Sequence, residues 1–300
     1  MSDKKINYRV GDRNLKYYIF DWDDNILRMP THIHLERKCP DGRWEPHAVS
    51  TSTFSLIRND TDNYRPPEND WEKAFKEFRD FAHDDESKFL KDARAAIDHL
   101  LTHHEKPPPS FNTFKQSLIE GRLFAIVTAR GHKSETLRKG IELFIERVLS
   151  PKEKATMLCN LRGYIACYLG EEKLHGMTDD DVLGFYLSLN KYHAVTSPQF
   201  HALIRGKIPD TQQSEIRKQY AIYDFIEHIF NIIEKDKINK PVSVGFSDDD
   251  PANIEAIERY VKETLGKRFP SVRFVIYDTS NPDIEKGRKN IVSGQLDLGL

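Results

Sequence analysis

The chain is poor in cysteine. Its three cysteines, Cys39, Cys159 and Cys167, share no CxxC spacing, which argues against a disulfide framework or a zinc ribbon. It also lacks any apolar run near the roughly 20 residues that a bilayer span demands. No apolar stretch follows the basic residues of MSDKKINYRVGDRNLKYY, so neither a membrane helix nor a secretory leader is expected, and the expected compartment is the cytoplasm. An excess of one charge is missing too. Lysine and arginine number 45 against 47 aspartates and glutamates, a formal net charge of -2, which removes the global electrostatic case for a nucleic-acid coat or a membrane-surface protein. A local basic groove stays open. No internal repeat or low-complexity tract is present.

What is present is a 300-residue chain with 38% hydrophobic and 31% charged residues, long enough for one large α/β domain with insertions or two modest domains. The clearest strand is KYYIF, which runs into DWDD, placing Asp21, Asp23 and Asp24 where a strand leaves the core. THIHLER and WEPHAVST, joined by KCPDGR with its Pro-Asp-Gly turn, predict a β-hairpin over about 31–51. Apolar residues at helical spacing between Pro66 and His104 (Trp71, Phe75 and Phe78, then Phe89, Leu90, Ala93, Ile97 and Leu100) predict two helices, the second stopped by EKPPPS. LFAIV and PVSVGF are further buried strands, YHAVTS a short one and VRFVIYDTS the last. Helices are expected over KSETLRKGIELFIERVL, much of 150–190, about 214–235 and ANIEAIERYVKETLG, with the tail after Asp278 loosely ordered. Strands alternating with helices imply βαβ units and a mostly parallel sheet.

Ligands of open α/β sheets bind outside the carboxyl ends of the strands. Those ends here read DWDDN, TARGH and SDDDPAN. Two are acidic clusters more than two hundred residues apart, and carboxylates that meet from separate strand ends make a hard-oxygen site suited to magnesium. Each acidic run taken alone is also a good helix cap or solvated turn. His32 and His34 share one face of a strand, which is metal-ligand geometry without an evident third ligand. Arg130 and His132 lie past the second strand, within reach of a substrate phosphate, and Arg130 is equally placed to pair with the acidic cluster. The stripe Trp71, Phe75 and Phe78 reads as packing rather than as a platform for stacking bases.

FDWDDNIL resembles the first motif of the haloacid dehalogenase (HAD) superfamily, in the D-x-D-D form of class B acid phosphatases. Thr128 in IVTAR matches the second motif, Lys218 (with Lys207 as the second choice) the lysine of the third, and Asp248 and Asp249 the acidic fourth. The resemblance covers about half of the chain. It implies a HAD-like Rossmannoid three-layer α/β/α core over 1–28 and 119–300, with a helical insertion at about 150–190 and a hairpin-and-helix cap over 29–118. It also implies a magnesium-dependent phosphohydrolase that cleaves a small-molecule phosphomonoester through an aspartyl-phosphate on Asp21. Asp23 would be the acid/base, Thr128 and Lys218 would hold the phosphoryl oxygens with Arg130 as a further substrate contact, and Asp21, Asp23 (by its carbonyl), Asp248 and Asp249 would hold Mg2+. Asn25 stands where the family usually has threonine. GFSDDD replaces the commoner GD, which leaves Asp248, Asp249 and Asp250 open as ligands, and Asn253 stands in for a later acidic residue. Two alternatives are a nucleotide or nucleic-acid-end phosphatase and a non-catalytic phosphate-binding regulatory protein on the same fold. The near-zero net charge argues against a long polymer contact.

Overall fold

Alternation of side chains along the strands builds a sheet buried on both faces. In the computed structural model, which describes residues 5–81, 86–209, 214–233 and 240–293, β1 (Leu15–Phe20) sends Phe20 to one core and Tyr17 and Ile19 to the other. Next come β2 (Ile33–Lys38), β3 (Trp44–Val49), helix α1 (Thr51–Ile57), β4 (Tyr64–Arg65), the single-turn α2 (Trp71–Ala74), α3 (Lys88–His103) and α4 (Phe111–Glu120). In β5 (Phe124–Thr128), Phe124 and Ile126 join the first core while Ala125 and Val127 join the second, so both faces are apolar as a parallel sheet requires. Helices α5 (Ser134–Val148), α6 (Pro151–Leu169) and α7 (Asp179–Ser188) lead to β6 (Lys191–Ala194), then α8 (Pro198–Ile204) and α9 (Ser214–Ile232) to β7 (Val242–Asp248). The chain continues through α10 (Pro251–Tyr260), β8 (Val272–Asp278) and β9 (Arg288–Ser293).

The main sheet has six strands in the order β6-β5-β1-β7-β8-β9, all parallel except β9. Helices α3 to α7 supply the first core, against Phe20, Phe124 and Ile126, and α8 to α10 the second. The architecture is therefore Rossmann-like α/β. Phe114 of α4, fully buried, meets the rings of Phe20, Phe124 and Phe144 at 5.2, 5.4 and 5.0 Å, so one aromatic joins two strands and a neighbouring helix. Local chemistry starts the helices: Ser150 and Glu153 form a reciprocal capping box with Pro151 as first residue of α6. Among the described residues no helix is long and apolar enough to cross a membrane.

The hairpin expected near 31–51 is β2 and β3, turned at Gly42 with φ 85°, and with β4 it makes a separate three-stranded sheet. The segment 29–118 divides between two packing environments: this sheet, α1 and α2 enclose a small core of their own, while Phe89 and Ala93 of α3 and Phe111 and Phe114 of α4 lie in the core of the main sheet.

Two readings of the sequence differ from what is found. The stripe Trp71, Phe75 and Phe78 is not one helix but the single turn α2 and a following 3-10 turn, broken at Phe75 (φ -98°, ψ 24°). Short turns repeat every three to four residues just as a long helix does, so spacing alone does not separate them. The tail after Asp278 is not loosely ordered throughout, because β9 pairs antiparallel with β8 from Asp278↔Arg288 to Phe274↔Ser293. The open edge of β8 offers a ladder of donors and acceptors, and a polar strand satisfies it without hydrophobic periodicity of its own. Residues 294–300, 82–85 and the end of the helix expected to reach 235 lie outside the described residues. Helices α1, α4 and α8 carry no expectation from the sequence.

Candidate active site

Strand order reverses at β1. From β1 the chain steps to β5 and β6 on one side, then returns to β7 and β8 on the other, so the crevice beyond the carboxyl end of β1 is the switch point where such sheets bind ligands. The loop that leaves β1 is folded by its own pattern. Trp22, Ile26 and Leu27 turn into the core, the amides of Ile26 and Leu27 donate to the Trp22 carbonyl (3.0 and 3.3 Å), and Asp24 takes a left-handed φ of 52°. Aspartate is among the few residues that tolerate that conformation. With the apolar side chains held inward, the carboxylates stay at the strand end.

Asn25 fixes this loop to β7. Its amide nitrogen donates to the carbonyls of Asp21 (3.0 Å) and Ser247 (3.1 Å) and to the Ser247 hydroxyl (3.0 Å), while its oxygen accepts from Thr279 (2.9 Å). Through it the ends of β1, β7 and β8 are one hydrogen-bonded unit, and the Asp21 amide adds a bond to the Ser247 carbonyl (3.0 Å).

Asp21, Asp248 and Asp249 converge there, with one carboxylate oxygen of each within 4.8 Å of the others. Lys218, projected from α9 and 2% exposed, donates to Asp21 Oδ1 at 3.2 Å and to Asp248 Oδ2 at 2.7 Å. Asp248 Oδ1 accepts from the Asp250 amide and from Asn253 Nδ2, both at 3.0 Å, so Asn253 orients this carboxylate. Burial pushes the Asp21 carboxyl up to about 8; Lys218 opposes the rise, and Asp248 and Asp23 add to it. Burial followed by Asp21 and Asp248 pushes Asp249 well above the usual carboxylate range. For Lys218 burial works toward the neutral amine, but Asp21 and Asp248 overcome it and raise the group. With all three carboxylates ionised, one ammonium would leave two negative charges to balance, a state that a bound cation would favour over the protonated acids that burial favours. A divalent cation with oxygen preference matches that remainder and this donor set.

Asp23 faces a different partner. Arg130 donates to it through Nε (2.8 Å to Oδ2) and Nη2 (2.6 Å to Oδ1), a two-pronged ion pair with the arginine side chain 1% exposed. The same Nη2 donates to the Thr31 hydroxyl (2.7 Å), which in turn donates to Asp92 Oδ2 (2.6 Å), and Lys88 binds the other Asp92 oxygen at 2.6 Å. The guanidinium also lies over Phe78 (4.6 Å) and Phe89 (5.3 Å). Arg130 is thus held by the acidic cluster, one of its two sequence readings, rather than presented to solvent. His132 is fully buried beside Phe89; burial and then Arg130 hold its pKa down to about 3, against Asp80 and Asp23, so the ring is neutral.

Thr128 ends β5, buried, its hydroxyl accepting from the Arg130 amide at 3.4 Å. Lys207 lies elsewhere, 5.7 Å over the Tyr220 ring, which leaves Lys218 as the lysine at the carboxylates. Asp250 caps α10 and pairs with Arg58 at 3.2 Å. His34 bonds Glu77 at 2.6 Å, and His32 reaches the same carboxylate through its amide at 3.2 Å. Residues the sequence did not single out include Ser247, Thr279, Thr31 and Asp92. Ser247 opens SDDDPAN and Thr279 follows the end of β8, so weighing every residue of each strand end would have found both; Thr31 and Asp92 carry no local signal. No protein family, curated protein or solved structure matches the chain.

Proposed function

We propose that this chain is a magnesium-dependent phosphohydrolase that cleaves phosphomonoesters through an aspartyl-phosphate on Asp21, on a HAD-like core with the three-stranded sheet and α1 as cap. The observation that supports this most is Lys218 bridging Asp21 and Asp248 at a strand switch point, with Asp249 alongside. A structural ion pair needs no third carboxylate, whereas phosphoryl transfer needs a nucleophile, a cation-binding set and a fixed positive charge together.

Asp21, Asp248 and Asp249 would hold the metal, which when bound screens the approach of an anionic nucleophile to an anionic ester. Asp21 attacks phosphorus, the bond to the leaving oxygen breaks, and that oxygen takes a proton from Asp23. Water then attacks the phosphoryl group, the bond to Asp21 breaks, and Asp23 receives the water's proton. The Arg130 fork holds both Asp23 oxygens in place beside the nucleophile. Lys218 and Thr128 stabilise the phosphoryl oxygens.

The test is hydrolysis of a broad phosphomonoester panel with magnesium, for the native chain and Asp21→Asn. Native turnover that stops on chelation and in Asp21→Asn, with the circular dichroism spectrum unchanged, is expected. Full activity of Asp21→Asn toward every ester the native chain cleaves would refute the mechanism.

A further inference from the structure

Two buried side chains of the segment between β1 and β5, the Thr31 hydroxyl and the Asp92 carboxylate, touch none of the converging carboxylates. We infer that both are positioning residues for the proton donor Asp23, acting through Arg130; this rests on the phosphatase reading above. Thr31 precedes β2 and Asp92 lies in the second turn of α3, so the segment takes part in the chemistry as well as covering it.

An arginine can fork a carboxylate side-on, through Nε and Nη2, or end-on, through its two terminal nitrogens. Asp23 is held side-on, at 2.8 and 2.6 Å. One hydrogen of Nη2 then points at Asp23, and the other, the one an end-on fork would use, goes to Thr31 Oγ1 at 2.7 Å. Nη1 finds no partner among the described residues. Phe78 and Phe89, at 4.6 and 5.3 Å, confine the guanidinium, but apolar rings do not choose between the two forks. Thr31 makes that choice.

Asp92 fixes Thr31 in turn. A threonine hydroxyl has one proton, and Thr31 gives it to Asp92 Oδ2 (2.6 Å), which leaves its lone pairs for Arg130. Asp92 is 3% exposed, and a buried carboxylate is costly unless paired; Lys88, one turn earlier on α3, pairs with its other oxygen at 2.6 Å. An i,i+4 pair forms readily on a helix surface and does not require one oxygen to be turned inward to a hydroxyl. The charges alternate along the line Asp23, Arg130, Asp92, Lys88 and Glu77, the last 3.6 Å from Lys88. A fork that swings end-on carries the Asp23 carboxyl away from the leaving oxygen, and a displacement of about 1 Å can cost on the order of 10²-fold in rate.

The experiment measures kcat/KM with magnesium for benzyl phosphate and p-nitrophenyl phosphate, in the native chain, Thr31→Val, Thr31→Ser and Asp92→Asn. Benzyl alkoxide needs a proton to leave and p-nitrophenolate does not, so only the first ester depends on where Asp23 sits. Alongside, the Arg130 Nε–H resonance, identified by its loss in Arg130→Lys, is followed in nitrogen-15-labelled protein. Thr31→Val should lose about tenfold or more on benzyl phosphate against less than about threefold on p-nitrophenyl phosphate, with a shifted Arg130 resonance. Asp92→Asn should show a smaller loss of the same kind, and Thr31→Ser, which keeps the hydroxyl, should restore both the ratio and the resonance. Equal losses on the two esters, no loss on either, or an Arg130 resonance unmoved in Thr31→Val overturns the inference and leaves the phosphatase intact, because a merely structural defect does not distinguish leaving groups. A resonance shifted in Thr31→Val and restored in Thr31→Ser, in a native chain that hydrolyses no ester, upholds the clamp on Asp23 and overturns the phosphatase reading instead.

Discussion

Replacing Arg130 by methionine takes away both bonds to Asp23, at 2.8 and 2.6 Å, the bond to Thr31 at 2.7 Å and the stacking over Phe78 and Phe89, and leaves a carboxylate that is 7% exposed without its cation. Breaking a buried pair from one side costs about 3–5 kcal/mol, because the remaining charge keeps its desolvation penalty. Methionine restores part of the apolar contact, so the lower half of that range is expected. With urea slopes of about 1–3 kcal/mol/M, a 3 kcal/mol loss moves the unfolding midpoint by roughly 1–3 M. Arg130→Lys should fall between, since it keeps the charge but cannot make the fork. The double variant Asp23→Asn/Arg130→Met removes both charges and should lose about 2 kcal/mol less than the sum of the single changes. A loss under about 1 kcal/mol, or additive single and double variants, would refute the pairing as the determinant of Asp23. Were Arg130 a substrate ligand instead, Arg130→Met would raise KM with little change in stability.

Lys218→Met should lower kcat by about 10²–10³, the cost of losing one preorganised donor to a phosphoryl oxygen, read in steady-state kinetics; an unchanged kcat would remove Lys218 from the chemistry. Asn25→Ala strips the buried clamp joining β1, β7 and β8 and should cost about 3 kcal/mol through its lost bonds and orphaned groups, measured by chemical denaturation. Far from the site, burial raises Asp224, but its bond to His193 (3.1 Å) and the charges of His193 and Lys191 outweigh it and hold the carboxyl down to about 2. A depressed carboxyl stabilises the fold above its ordinary value near 4 and loses that contribution as pH falls toward 2. The stability gap between the native chain and Asp224→Asn should therefore shrink by roughly 2 kcal/mol over that window, and a gap that grows with acid would reverse the sign.

The strands were legible because burial on both faces writes them as apolar runs that stop where the backbone leaves the core. β1, β5, β7 and β8 lie where such runs end in DWDD, TAR, SDDD and DTS. That rule also nominated the site carboxylates, since a charge directly after a buried strand must be matched by something. It did not say by what. Asp23 and Arg130 are 107 residues apart and Lys218 and Asp21 are 197 apart, and no local pattern separates an arginine that enters the core from one that stays in water. Partner choice depends on topology: β5 delivers Arg130 to one side of β1, and α9 delivers Lys218 to the other face. The same reasoning accounts for β9, whose polar sequence carries no strand signal because its partner's edge supplies the reason to extend. Asp24 shows the two kinds of information meeting. An acid in a tight turn is a local expectation, met by its left-handed φ of 52°, but its bond to Thr51 at the start of α1 is long-range. That bond makes the turn residue the tether of α1, so the acidic run after β1 has one member turned to Lys218, one to Arg130 and one to Thr51.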